Sequence, residues 1–214
     1  MYSELSTYLN EQNTQLVAVS KTKSEDEILV LYNQGQKVFG ENRVKELVAK
    51  YEALPKDISW HMIGVLQKNK VKYIAPFVDM IQSVSSLKLA RVINKMAAKH
   101  QRVIKVLLQV KIAQEDAKSG FDLEQLYESV QELKAMDNIR IKGLMGMGTF
   151  TSDQEINLIE FESLKSCFDH LKAFKFKDQA SFDTLSMGMS GDYKLAIECG
   201  SNMVRIGSLL FGAR

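Results

Sequence analysis

Cysteine and histidine are scarce: Cys167 and Cys199 stand far apart, and the three histidines do not join them at any zinc-ligand spacing. A disulfide framework and a structural zinc site are thereby excluded as the basis of the fold, and a reducing compartment is the simplest setting. Proline occurs twice, at Pro55 and Pro76, in both cases directly after a helical stretch and never inside a strand. No apolar run approaches the roughly 20 residues that cross a bilayer. Met1-Tyr-Ser-Glu-Leu-Ser also lacks the basic start and apolar core of a secretory signal, so a cytoplasmic location with no membrane partner is expected. An excess of one charge is missing too: 28 basic against 26 acidic residues leave +2, and no global field draws the chain to nucleic acid.

What is present is an alternation. The 214 residues, 45% hydrophobic and 25% charged, have the composition of a globular chain with one sizeable core. Apolar runs of strand length cover Leu16 to Lys21, Lys37 to Asn42, Ser59 to Gly64, Asp79 to Val84, Ile104 to Ile112, Ile139 to Gly148, Thr184 to Ser190 and Met203 to Phe211. Helical patterns fall between them, over Glu25 to Asn33, Val44 to Leu54, Lys68 to Ala75, Leu87 to Lys99, Leu123 to Lys134, Glu155 to Leu171 and Tyr193 to Glu198, and a further one precedes the first strand over Ser3 to Gln12. Ser24 can cap the helix that opens with Glu25-Asp26-Glu27, with Gly35 as its stop, and Ser85 or Ser86 can cap the helix that follows the fourth strand. Eight such units in an α/β chain predict a closed (β/α)8 TIM barrel; an open dinucleotide-binding sheet needs a glycine-rich turn after an early strand, where this chain has Val-Ser-Lys-Thr-Lys. No linker or low-complexity tract divides the chain, so a single domain over 1–214 is expected.

A barrel gathers its chemistry at the carboxyl ends of its strands. Those ends are Lys21, Asn42, His61 to Gly64, Ser83, Lys111, Met147, Ser190 and the segment from Arg205 to Ser208. Alternation puts Lys21 on one face with Val17 and Val19, where partial loss of water favours a neutral, nucleophilic amine; a solvated lysine in the turn after a strand is the other reading. Ser186 to Asp192 ends the seventh strand and opens a helix, and Gly207 with Ser208 follows the eighth, which matches the place where barrels hold phosphate. Arg205 shares its face with Gly207 and must find a partner inside, which can be a phosphate, a ring nitrogen or a carboxylate such as Glu41. Gly143 to Gly148 sets Met145 and Met147 beside small residues, as the wall of a flat ring or of a crowded interior requires. His61 reads as a hydrogen-bonded core histidine or a base, and Lys68, Lys70 and Lys72 as a solvated basic strip. An amine, a phosphate cradle and an arginine between them suit the aldehyde, phosphate and pyridine nitrogen of pyridoxal 5′-phosphate (PLP).

Seven segments carry a resemblance that runs over nearly the whole chain: Ala18-Val-Ser-Lys-Thr-Lys23, Phe39-Gly-Glu-Asn42, Trp60-His-Met-Ile-Gly64 with Leu66-Gln67 and Asn69-Lys70, Lys118-Ser-Gly120, Gly143-Leu-Met145, Leu185-Ser-Met-Gly-Met-Ser190, and Val204-Arg-Ile-Gly207 with Phe211-Gly-Ala-Arg214. In their order and spacing they resemble the pyridoxal phosphate homeostasis proteins, also called the YggS or PROSC family. The resemblance implies a fold-type III PLP barrel in which Lys21 forms the internal aldimine, Ser190, Gly207 and Ser208 hold the phosphate, Arg205 lies near the pyridine nitrogen and Asn42 lines the pocket. The family often has threonine at the position of Ser208, and a hydroxyl is retained here. Lys118 matches a family lysine suspected in cofactor handover.

The family implies a binder and buffer of PLP, active in vitamin B6 and amino-acid balance, with PLP-dependent apoenzymes as partners and no catalytic turnover. Barrel racemases resemble this chain through the barrel but add a β domain that supplies a second acid/base group; none is expected here, since Phe211-Gly-Ala-Arg214 follows strand eight directly. A racemase-like enzyme and a barrel for another phosphorylated metabolite are the alternatives. A monomer is expected.

Overall fold

Each strand pairs in parallel with its neighbour in sequence, and the first pairs with the last, so the sheet closes on itself in the computed structural model, which describes residues 2–113 and 119–212. The strands are β1 (Gln15–Val19), β2 (Val38–Glu41), β3 (Ser59–Met62), β4 (Met80–Val84), β5 (Ile104–Gln109), β6 (Ile139–Met145), β7 (Thr184–Ser186) and β8 (Met203–Ile206). The helices are α1 (Tyr2–Glu11), α2 (Glu25–Asn33), α3 (Val44–Ala53), α4 (Val71–Ile74, entered through a 3-10 turn at Lys68–Lys70), α5 (Leu87–Lys99), α6 (Leu123–Lys134), α7 (Gln154–Phe174), α8 (Tyr193–Glu198) and α9 (Ser208–Phe211). The architecture is the (β/α)8 TIM barrel that the alternation predicts.

Period-two alternation separates two packing layers. Val17, Met80, Leu107, Met145 and Met203 point into the barrel and form one cluster, with Val38 and Met147 against it. The opposite phase, Ala18, Phe39, Trp60, Ile81, Val106, Leu144 and Leu185, packs on the helices. Each large apolar side chain that is fully buried there is worth about 1.5–3 kcal/mol over exposure, so the helix layer carries most of the stability. The barrel interior is left free to hold polar groups. Leu5 and Leu9 of α1 join Leu16, Val204 and Ile206 and so cover the seam where β1 meets β8.

Helix ends follow local chemistry. Ser24 accepts from Glu27 N while the Glu27 carboxylate accepts from Ser24 N, a reciprocal cap on α2, and Ser86 caps α5. Several strands stop earlier than the apolar runs predict. The seventh ends at Ser186, not Ser190, because Gly188 turns the chain at φ +95°, where an added Cβ would meet the Ala196 Cβ at 2.6 Å. The eighth ends at Ile206, and Ser208–Phe211 is one helical turn whose last two N–H groups donate to Gly207 O, at 2.9 and 3.0 Å. β5 and β6 end at Gln109 and Met145 rather than Ile112 and Gly148, and Lys21 and Asn42 lie just past β1 and β2. Among the described residues no helix is long and apolar enough to cross a membrane.

Candidate functional site

Closure of the sheet makes β7, β8 and β1 consecutive, which brings the turns after them together at the carboxyl end of the barrel. Gly207 N donates to Ser190 Oγ at 3.2 Å, tying the seventh loop to the eighth. A Cβ on Gly207 would stand 3.2 Å from Val19 O, a tight contact, so glycine lets the eighth loop lie this close to the end of β1 without displacing it. Ser208 is exposed and opens α9. The first N–H groups of that turn have no intrahelical acceptor, as in any helical start. Lys21 is half-buried in the turn after Val19. Asn42, half-buried, follows β2 on the other side of Lys21, and Met147, half-buried after β6, packs on the interior cluster at the same end. Strand order thus gathers the expected binding residues on one arc of the mouth, from β6 round to β2.

Arg205 lies beneath them in the barrel interior and is 4% exposed. Nη1 donates to Ser186 Oγ at 2.6 Å and Nη2 to Gly146 O at 2.8 Å. Both acceptors are neutral. Burial lowers the guanidinium to about 10, opposed by the charge of Asp192, so it remains a cation at neutral pH. The carboxylate partner considered from sequence is not used: Glu41 faces the helix layer, where Lys50 Nζ reaches its Oε1 at 2.6 Å. Burial pushes the Glu41 carboxyl up, against the pull of Lys50 and Ser20.

A polar thread runs from Arg205 across the interior. Ser186 Oγ donates to Gln82 Oε1 at 2.7 Å, and Gln82 Nε2 reaches His61 Nδ1 at 2.9 Å. His61 Nε2 stands 3.6 Å from Asp79 Oδ2, which accepts from Ser59 Oγ at 2.6 Å, while Asp79 Oδ1 pairs with Lys105 at 3.0 Å. The His61 ring, ahead of Ser59 and Lys105, holds Asp79 well below the usual carboxylate range. Desolvation pushes His61 below its ordinary value of 6.5, and it is a hydrogen-bonded core residue. Gln82 had no place among the sequence candidates, and Ser186 entered only as the start of the seventh strand-end segment. The one sequence signal of Gln82 is a polar residue on an otherwise apolar strand face, Met80-Ile-Gln-Ser-Val84.

Other strand-end candidates fall elsewhere. Lys111 turns outward to Asp122 at 3.0 Å, Ser83 is buried with no hydrogen bond to its hydroxyl among the described residues, and Lys118 lies outside the described residues. Lys68, Lys70 and Lys72 are exposed, as a solvated strip requires. A groove of about 680 Å³ lies outside the barrel wall between α3 and the segment after β3, with Val44, Val48, Val65 and Tyr73 as its apolar lining, and meets the mouth at Asn42. Among the described residues no group of three or more His, Cys, Asp or Glu is placed to hold a metal.

The donor set fits a phosphorylated aromatic aldehyde: a buried cation with only neutral acceptors, two loops tied by Ser190 and Gly207, and a lysine in the turn after the adjacent strand β1. Residues 2–214 match the family model described as alanine racemase, N-terminal domain. The pyridoxal phosphate homeostasis protein of Vibrio alginolyticus is 38% identical over 218 residues, spanning 100% of this chain and 92% of that protein. Among solved structures, PipY of Synechococcus elongatus PCC7942 without PLP has a TM-score of 0.91 at 33% identity, and the same protein with PLP bound has 0.87 at 32%; both comparisons cover 99% of this chain and 100% of that one. Alanine racemase of Clostridium difficile 630, with a TM-score of 0.77 at 17% identity, shares the fold, and this chain spans 56% of it.

Proposed function

The chain belongs to the pyridoxal phosphate homeostasis proteins and carries the alanine racemase N-terminal domain, and from that premise we propose that it binds PLP through Lys21 and acts as a cytoplasmic, monomeric, single-domain carrier of that cofactor. The observation that carries this reading is the meeting of Lys21, Ser190, Gly207 and Ser208 at the ends of three adjacent strands with Arg205 beneath. When bound, the cofactor supplies an aldehyde for the lysine, a phosphate and a pyridine ring. Ser190 and the first N–H groups of α9 hold the phosphate, Asn42 and Met147 border the ring, and Lys21 provides the covalent attachment with release of water. PLP bound in PipY, which is 32% identical, supports the ligand.

Arg205 disfavours strong carbanion chemistry, although racemases use such an arginine too. Its guanidinium donates two hydrogen bonds and keeps its proton at neutral pH, so it cannot protonate a ring nitrogen and leaves the ring a weak electron sink. His61, the histidine of the barrel interior, is engaged by Gln82 and is not free to shuttle protons at the mouth. A carrier of this kind serves vitamin B6 and amino-acid balance by holding PLP for apoenzymes. Purified protein mixed with PLP should develop a visible band, lose it on borohydride, and yield a reduced adduct on the peptide containing Lys21; Lys21→Ala should abolish the adduct and leave the circular dichroism unchanged. An adduct retained by Lys21→Ala overturns the choice of amine. Rapid solvent-deuterium exchange at the α-carbon of added amino acids overturns the carrier reading in favour of a racemase-like enzyme.

A further inference from the structure

We propose that α3 is the holder of the reactive lysine: Lys50, braced by Glu41, and Glu46 are positioning residues that fix the backbone on both sides of Lys21. The role rests on the reading of Lys21 as the cofactor-binding amine. Lys50 Nζ donates to Ser20 O at 2.7 Å, and Ser20 O belongs to the peptide plane that enters Lys21. Thr22 N donates to Glu46 Oε2 at 2.9 Å, and Thr22 N belongs to the plane that leaves it. Gripping both planes sets the two backbone torsions of Lys21 and hence the direction in which its side chain departs. Glu46 and Lys50 are four residues apart, so one face of one helix makes both contacts.

The surroundings stiffen this grip. Glu41 Oε1 accepts from Lys50 at 2.6 Å and from Ser20 Oγ at 2.6 Å, and both charged side chains are buried. Ser20 O also accepts from Lys23 N at 3.0 Å, closing the turn, and Lys23 Nζ donates to Phe211 O at 3.0 Å, which fastens the turn to α9. Thr22 adopts φ +65°, a left-handed conformation that a β-branched residue avoids unless it is imposed. A buried ion pair is not needed to fill this space, since apolar side chains of similar volume commonly serve a fold as well or better. An ion pair that reaches a carbonyl one residue before the amine, together with an imposed torsion one residue after it, fits control of the lysine's direction better than packing.

Two disrupting variants and one control test this. Glu41→Leu combined with Lys50→Met replaces the pair with apolar groups and frees Ser20 O; Glu46→Ala, at a partly exposed position, frees Thr22 N while Glu46→Gln keeps an acceptor for it. Hydrogen exchange of the cofactor-free proteins should show the Thr22 amide losing protection in Glu46→Ala and regaining it in Glu46→Gln. The rate of borohydride-trapped attachment of PLP to Lys21 should fall about ten- to a hundredfold in the double variant and in Glu46→Ala, with a shifted pH midpoint, and recover in Glu46→Gln. Wild-type attachment with unchanged rates and midpoints in both variants overturns the positioning role alone. Absence of attachment to Lys21 in the wild type overturns the cofactor reading and this role with it.

Discussion

Gln82 donates to Nδ1 of His61 across 2.9 Å, and that bond sets the imidazole as the tautomer with its proton on Nε2. The direction is forced from the other end of the thread. A guanidinium only donates, so Ser186 Oγ accepts from Arg205 and passes its own proton to Gln82 Oε1, leaving the Gln82 amide nitrogen to face His61. One buried cation therefore orients three side chains, Ser186, Gln82 and His61.

Acid should weaken the fold through His61. Its pKa in the fold lies below the ordinary 6.5 because of burial, so the unfolded chain binds more protons than the native one as the pH falls below that value. The contribution is complete above the unfolded value and is lost as the pH drops towards the folded one. The unfolding temperature should decline as the pH falls below about 6.5, and His61→Gln should flatten that part of the profile. An identical slope in the variant would assign the acid sensitivity to another group.

Ser186→Ala removes the link between Arg205 and Gln82. It strands a buried donor on one side and a buried acceptor on the other, which should cost about 1–3 kcal/mol in urea unfolding. A loss under about 0.5 kcal/mol would mean that the neighbours re-pair without the hydroxyl.

Thr22→Asn should stabilise the protein. The left-handed conformation costs an ordinary residue about 1–2 kcal/mol, and asparagine tolerates it better than a β-branched side chain does, so a gain of up to about 1 kcal/mol in thermal or chemical unfolding is expected. The Glu46 contact uses the backbone of residue 22 and should survive.

Ser190→Ala deprives Gly207 N of its acceptor and loosens the tie between the seventh and eighth loops. Affinity for PLP in an absorbance titration should fall about tenfold, the equivalent of 1.4 kcal/mol, while attachment at saturating PLP persists. Unchanged affinity would remove Ser190 from the binding set.

Much of this was legible because it is local. Glu25–Asn33 and Leu87–Lys99 were bounded correctly, since Ser24 and Ser86 announce their starts and the apolar period is clear between them. Ser190, Gly207 and Ser208 were legible as strand-end residues because closed barrels gather such ends at one mouth. Strands seven and eight were read too long: Met187, Met189, Leu209 and Leu210 are apolar, and the turns at Gly188 and Gly207 leave no mark in hydropathy. The thread from Arg205 to Asp79 was not legible, because it depends on which interior residues meet across the barrel. That is set by register and shear, properties of the closed sheet rather than of any segment. Glu41 failed as the partner of Arg205 for the same reason, since its phase on β2 sends it outward to Lys50.

The seam between β1 and β8 has a bearing on synthesis. Gln15 lies beside Met203 and Val17 beside Arg205, so the amine emerges from the ribosome early while the loops and the cation opposite it are made last. Truncated products therefore lack one strand that β1 pairs with, and the sheet closes only in molecules whose translation has passed the eighth strand.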